Sequence, residues 1–96
     1  LDTHVQFNDG GNFGGDSAFT FDKTTKTTTT HDLIPAADVS YDLGAPASRW
    51  ANVYTGDLHL KNDRGDWTIV EEEDYLCVVN NKTGKRYKMS LIPLED

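Results

Sequence analysis

Cysteine is almost absent from this chain: its 96 residues contain one, Cys77. A single cysteine excludes an intrachain disulfide, so no covalent staple closes the fold within one chain. Cys77 lies in the apolar run Leu76-Cys77-Val78-Val79, where a free thiol is expected as a small buried hydrophobe, with an interchain contact or a reactive thiol as the lesser alternatives. No apolar run approaches the ~18–20 residues a membrane-crossing helix needs, so membrane insertion is not expected. The opening Leu1-Asp2-Thr3-His4 lacks the basic and apolar regions of a signal peptide, and without an initiating Met the chain reads as a fragment or processed product. Basic residues are also scarce, nine against sixteen acidic, giving a net charge of −7. Phosphate backbones repel such a chain, which disfavours nucleic acid as a partner. Hydrophobic residues make up only 36% of the chain. A chain this short already buries a small share of its surface. Even so, four Phe, four Tyr and two Trp must be sheltered, and a partner chain is the expected source of the missing core.

Three zones follow from the patterning. Residues 1–30 read as short β-strands between loops, a segment that the resemblance given below makes shaft-like. His4-Val5-Gln6-Phe7 and Ser17-Ala18-Phe19-Thr20-Phe21-Asp22 alternate as strands do, and Asn8 to Asp16 between them reads as a glycine-rich loop. Six of the seven residues from Thr24 to Thr30 are Thr, a β-branched type suited to extended chain. Residues 31–62 change character. Leu33-Ile34-Pro35 and Tyr41-Asp42-Leu43-Gly44 are extended pieces, and Ala45 to Asn52 reads as one helical turn with Pro46 near its start. Val53 to Leu60 reads as a strand with Tyr54, Leu58 and Leu60 on one face, and Val53, Thr55, Asp57 and His59 on the other. Gly56 marks a bulge or a close backbone approach in that strand. Residues 63–96 predict a three-stranded antiparallel meander. Its strands are Trp67–Glu71, Tyr75–Asn80 and Arg86–Leu91, joined by turns at Glu73-Asp74 and Asn81-Lys82-Thr83-Gly84. Tyr87, Met89 and Leu91 fall on its buried face. The middle strand is apolar on both sides and needs cover on both, which again argues for association.

Chemistry is harder to find. The glycine-rich run lacks phosphate-loop spacing, and no helix follows it. His4, His31 and His59 are far apart and the lone cysteine offers no ligand pair, so no metal site is expected. The alternative is His59 repeated around a trimer axis. Glu71-Glu72-Glu73-Asp74 lacks the glycine-punctuated loop of a Ca²⁺ site. With Lys82, Lys85, Arg86 and Lys88 nearby, it is expected to form cross-strand charge pairs on a solvated face. Arg64-Gly65-Asp66 spells an adhesion tripeptide but reads as a turn, and Asn81-Lys82-Thr83 matches a glycosylation pattern that coincides with the hairpin. A Ser-His-Asp set drawn from Ser40 or Ser48 has no nucleophile-elbow sequence behind it. No enzyme and no cofactor are expected.

The stretch Tyr41-Asp-Leu-Gly-Ala-Pro-Ala-Ser-Arg-Trp-Ala-Asn-Val-Tyr-Thr-Gly-Asp-Leu-His-Leu60 resembles a segment of tail-fibre and related virion structural proteins of tailed bacteriophages. In these, Leu-Gly and a few small residues precede Arg-Trp, then Asn-Val-Tyr-Thr and Asp-Leu-His-Leu. Val5 to Gly10 and Phe19 to Asp22 are similar to the short β repeats of such shafts, and Trp67 to Lys85 is similar to the meander that often ends them. The resemblance implies a homotrimer located on the virion, contacting other tail or capsid proteins and, as a secondary expectation, a host cell-surface receptor. The expected fold is all-β: an extended trimeric segment, then the meander, with little or no helix. Trimer and core packing is assigned to Trp50, Tyr54, Leu58, Leu60, Trp67, Leu76, Val78, Tyr87 and Met89, and Arg49 is expected to pair with an acidic neighbour. The alternatives are a receptor-binding tip that grips a host glycan, and a capsid decoration or head fibre.

Overall fold

The structure, a computed structural model, describes residues 2–95. It is all-β: among these residues there is no helix, and every strand pairing is antiparallel. The chain divides into two units, residues 1–41 and 42–96.

In the first unit, β1 (Phe7–Asp9) and β2 (Asn12–Gly14) form a hairpin in which Asn8 faces Phe13. Gly10 and Gly11 turn the chain at φ of 60° and 93°, and the Asn8 side-chain oxygen accepts the Gly11 N–H at 2.8 Å. The sequence reading took Asn8–Asp16 as a loop, and the structure corrects this. Two successive positive-φ glycines match the twist of a tight hairpin, so the run turns and pairs with itself. β3 (Thr20–Asp22) and β4 (Thr27–Thr29) form a second hairpin. The Asp22 carboxylate closes its turn by accepting the N–H groups of Thr24 and Thr25 at 2.9 and 3.3 Å. On its other side β3 meets residues 3–5, through Val5 N–H to Phe19 and Phe21 N–H to Thr3. The expected strand from Ser17 begins only at Thr20. Before it, Asp16 holds a tight turn, accepting from Ala18 with its side chain and from Phe19 with its carbonyl.

The second unit holds one four-stranded sheet in the order β5 (Asp57–Lys61), β6 (Asp66–Glu71), β7 (Leu76–Asn80), β8 (Arg86–Lys88). Three strands were expected. The fourth is β5, which the sequence reading placed in the middle zone as the end of a strand starting at Val53. Each turn has a local cause. The Asn62 side chain accepts the N–H groups of Arg64 and Gly65 at 2.8 and 3.1 Å, so the tripeptide Arg64-Gly65-Asp66 runs from a turn into β6. Glu72 N–H to the Tyr75 carbonyl closes the turn over Glu73-Asp74. Gly84, at φ 77°, lets its N–H reach the Asn80 carbonyl at 2.8 Å. An added Cβ at Gly84 meets nothing within 4 Å, so only backbone strain opposes it. Gly84→Ala is therefore expected to cost about 1–2 kcal/mol, the usual left-handed penalty, measured as a lower urea midpoint with unchanged slope.

Residues 45–52 are not helical. Ala45 and Ser48 exchange both backbone hydrogen bonds, at 3.1 and 3.0 Å, and make a tight turn that Gly44 enters at φ 87°. The Trp50 ring lies against Gly44, 3.3 Å from where a Cβ would stand. Beyond Lys88, Met89 N–H still reaches the Leu76 carbonyl at 2.9 Å, but the expected strand does not continue to Leu91, which is exposed.

Candidate interaction surface of the four-stranded sheet

Register assigns every side chain of the sheet to a face, because residues directly opposite in antiparallel strands share one. Leu58 stands opposite Ile69 and Leu60 opposite Trp67. Ile69 in turn stands opposite Val78, and Val78 opposite Tyr87. The same register carries Leu76 to Met89. One face thus gathers Leu58, Leu60, Trp67, Ile69, Leu76, Val78, Tyr87 and Met89. Seven of the nine residues assigned to packing from sequence are there, and Ile69 at the centre was missed. It could have been found as the residue two positions from Trp67 in an alternating strand.

This face is bare. Leu58, Leu60, Tyr87 and Met89 keep 45%, 50%, 47% and 38% of their surface exposed, while Trp67, Ile69, Leu76 and Val78 are half-buried. The Trp67 and Tyr87 rings lie 6.0 Å apart at a 41° tilt, a favourable aromatic geometry that organises the face without covering it. Trp50 and Tyr54 lie outside the sheet and are exposed, so the structure does not bring them to the other seven.

The opposite face is the more polar of the two: Val70, Cys77 and Val79 lie at its centre, ringed by charged and hydrogen-bonded side chains. The Asn81 amide donates to Asp66 Oδ1 and to Thr68 Oγ1, each at 2.9 Å. Thr68 Oγ1 lies 3.1 Å from His59 Nδ1. Since that hydroxyl accepts from Asn81, its own hydrogen is free to go to His59. The most buried of the described residues lie on this side: Cys77 at 2% exposure and Thr68 at 5%. Charge pairing is partial. Arg86 meets Glu72 at 3.1 Å, as expected for the acidic and basic runs. Lys88 instead stands over the Tyr75 ring at 4.9 Å, and Lys82 donates to the Arg64 carbonyl. The Arg86 pKa is raised, by Cys77 first and then by Glu72.

Sites for small ligands are open and shallow. A depression of ≈ 580 Å³ beside β1 and β2 is lined by Gln6, Phe7, Asn8, Gly11, Asn12 and Phe13, with no ionisable side chain. Among the described residues no three His, Cys, Asp or Glu side chains converge as a metal-binding group. Asp66, the last residue of the adhesion-like tripeptide, is engaged by Asn81 and by Lys61 at 3.9 Å. No family model, no curated protein and no solved structure matches this chain.

The Asp66 contact with Lys61 predicts a small effect. Lys61 is largely exposed, and such pairs contribute about 0–1 kcal/mol. Lys61→Ala is expected to lower the thermal midpoint by no more than about 4–8 °C, the equivalent of about 1 kcal/mol in a chain of this size, in a melt followed by circular dichroism.

Proposed function

We propose that this chain is a structural component of a phage virion, forming or capping a homotrimeric tail fibre, and that it has no catalytic activity. The observation that carries the reading is an excess of uncovered surface. The chain exposes 9246 Å². A compact monomer of its mass would expose about 5,500 Å², and two separately compact halves about 6,600 Å². Even the lenient comparison leaves about 2,600 Å² in excess. In a ring each chain has two neighbours, and two contacts of standard size would cover about 1,600 Å² of it. Exposed Phe13, Leu33, Ile34, Trp50, Val53 and Tyr54 add to the demand. The phage assignment rests on the resemblance of Tyr41–Leu60 to fibre segments, and contact with a host receptor is a secondary part of it.

The assignment to the virion is tested by microscopy. Antibodies raised against the purified chain are expected to label a surface appendage on particles whose genome encodes it. Intact particles that carry no label would retire the virion role. A receptor-binding tip is separable from a purely structural part: Tyr41→Ala, at an exposed tyrosine outside the packing set, would then abolish adsorption to host cells while the trimer mass stays unchanged.

A further inference from the structure

The two faces of the β5–β8 sheet differ in what they leave unsatisfied, and so do its edges. On the polar side Asn81, Thr68, Asp66 and His59 already hydrogen-bond to one another. On the apolar side Leu58, Leu60, Tyr87 and Met89 are between 38% and 50% exposed, with Glu71 and Asn80 as the polar residues at its margins. Both outer strands are ill suited to pairing with another strand. β8 is three residues long and carries Arg86 and Lys88; β5 carries Asp57 and Lys61, and the Asp57 carbonyl accepts the Thr55 hydroxyl at 2.9 Å. Charged, short edges discourage strand addition.

We infer that the apolar face of the β5–β8 sheet is closed by the same face of other copies of this chain, with the polar face outward and the edges unpaired. The inference rests on the homotrimer reading and goes beyond it by naming which side of the sheet turns inward. A second copy is the occupant that fits. A chain of net charge −7 repels its own copies over most of its surface, whereas this face is uncharged except for Glu71 at the end of β6. The excess area derived above belongs to the whole chain, and the half-exposed side chains of this face contribute part of it. His59 then lies outward beside Thr68, which removes it from the axis as a shared metal ligand. Cys77 is outward too, and its burial beneath neighbouring side chains keeps it from bridging copies.

Neighbouring residues on β5 separate the faces. Leu60→Glu places a carboxylate on the apolar side, and His59→Glu places the same group one residue away on the polar side. Full-length chains would be compared by light scattering, with circular dichroism to check the sheet. The parent and His59→Glu are expected at three times the 10.7 kDa chain mass, and Leu60→Glu at the single-chain mass with its β signal retained. A trimeric Leu60→Glu, or a His59→Glu that alone dissociates, would overturn the inference while leaving the trimer intact. A monomeric parent would overturn both. If Leu60→Glu fails to fold, cross-linking decides. With Cys77→Ala as background, Leu60→Cys is expected to give linked chains with a short bismaleimide and Lys61→Cys is not. Equal linkage at both positions would overturn the inference. So would linkage at Lys61→Cys alone, or none at Leu60→Cys in a trimeric parent, where something other than this face of a copy covers it.

Discussion

Trp67→Ala is expected to cost about 3 kcal/mol, the low end of the range for removing a packed Trp, and to weaken self-association with it. Trp67 stands opposite both Leu60 and Asn80 and shares its face with the Tyr87 ring. The ring is also close to Gly65, 3.3 Å from where a Cβ would be, so the turn preceding β6 is shaped around it. Truncation removes the largest side chain from the apolar face and the ring that the turn at Gly65 packs on. In a lone chain the half-buried ring would contribute less than this figure. In an assembly closed on that face it is fully covered, and the loss should exceed what an isolated sheet predicts. Urea unfolding followed by circular dichroism gives the stability, and light scattering at two concentrations gives the association. A loss under about 1 kcal/mol, the scale of an ordinary surface substitution, would mean the face stays solvated.

Asn81→Ala is expected to cost about 2 kcal/mol, from two hydrogen bonds of roughly 1 kcal/mol each. Its amide ties the β7–β8 turn to β6 through Asp66 and Thr68, and its backbone N–H also donates to the Asp66 carbonyl at 2.8 Å. Thr68 is nearly buried, so losing the Asn81 donor leaves its hydroxyl dependent on His59 alone. Because this network is on the polar face, the variant should lose stability without losing chain-to-chain specificity. The midpoint of unfolding is expected to fall while the native mass at high concentration stays that of the parent. A change in native mass would show that the polar face takes part in assembly.

Much of the sheet was legible because alternation and turn chemistry agreed there. Tyr75–Asn80 and Arg86–Lys88 flank a turn whose glycine has to adopt positive φ, and Trp67–Glu71 precedes another. The one-sided distribution of Leu58, Leu60, Trp67, Val78 and Tyr87 was only half legible. Periodicity assigns residues to faces within a strand, but register between strands decides that these faces coincide. β5 was misplaced because Val53–Leu60 alternates throughout, while only Asp57–Lys61 finds a partner in β6. The helical turn at Ala45–Asn52 failed for a related reason. Pro46 suits the first turn of a helix, but it suits a tight reverse turn equally, and Gly44 with the Trp50 ring beside it favours the turn. In Asn8–Asp16 the glycines read as loop formers, although a glycine pair is also what lets two short strands fold back on each other. Trp50 and Tyr54 were assigned to packing by resemblance, and neither joins the sheet face within one chain. On the homotrimer proposal their partners, like those of the sheet face, would come from other copies of the chain.

The most direct test is the dependence of unfolding on protein concentration, measured from micromolar to hundreds of micromolar chain. If folding and association are one process, the midpoint in urea rises with concentration, because assembly stabilises the folded chain by mass action. We predict such a rise, together with a native mass three times that of the chain. A midpoint unchanged across the range, with a native mass of 10.7 kDa, would contradict it: the bare face would then be stable in water, and the chain would need no copies of itself.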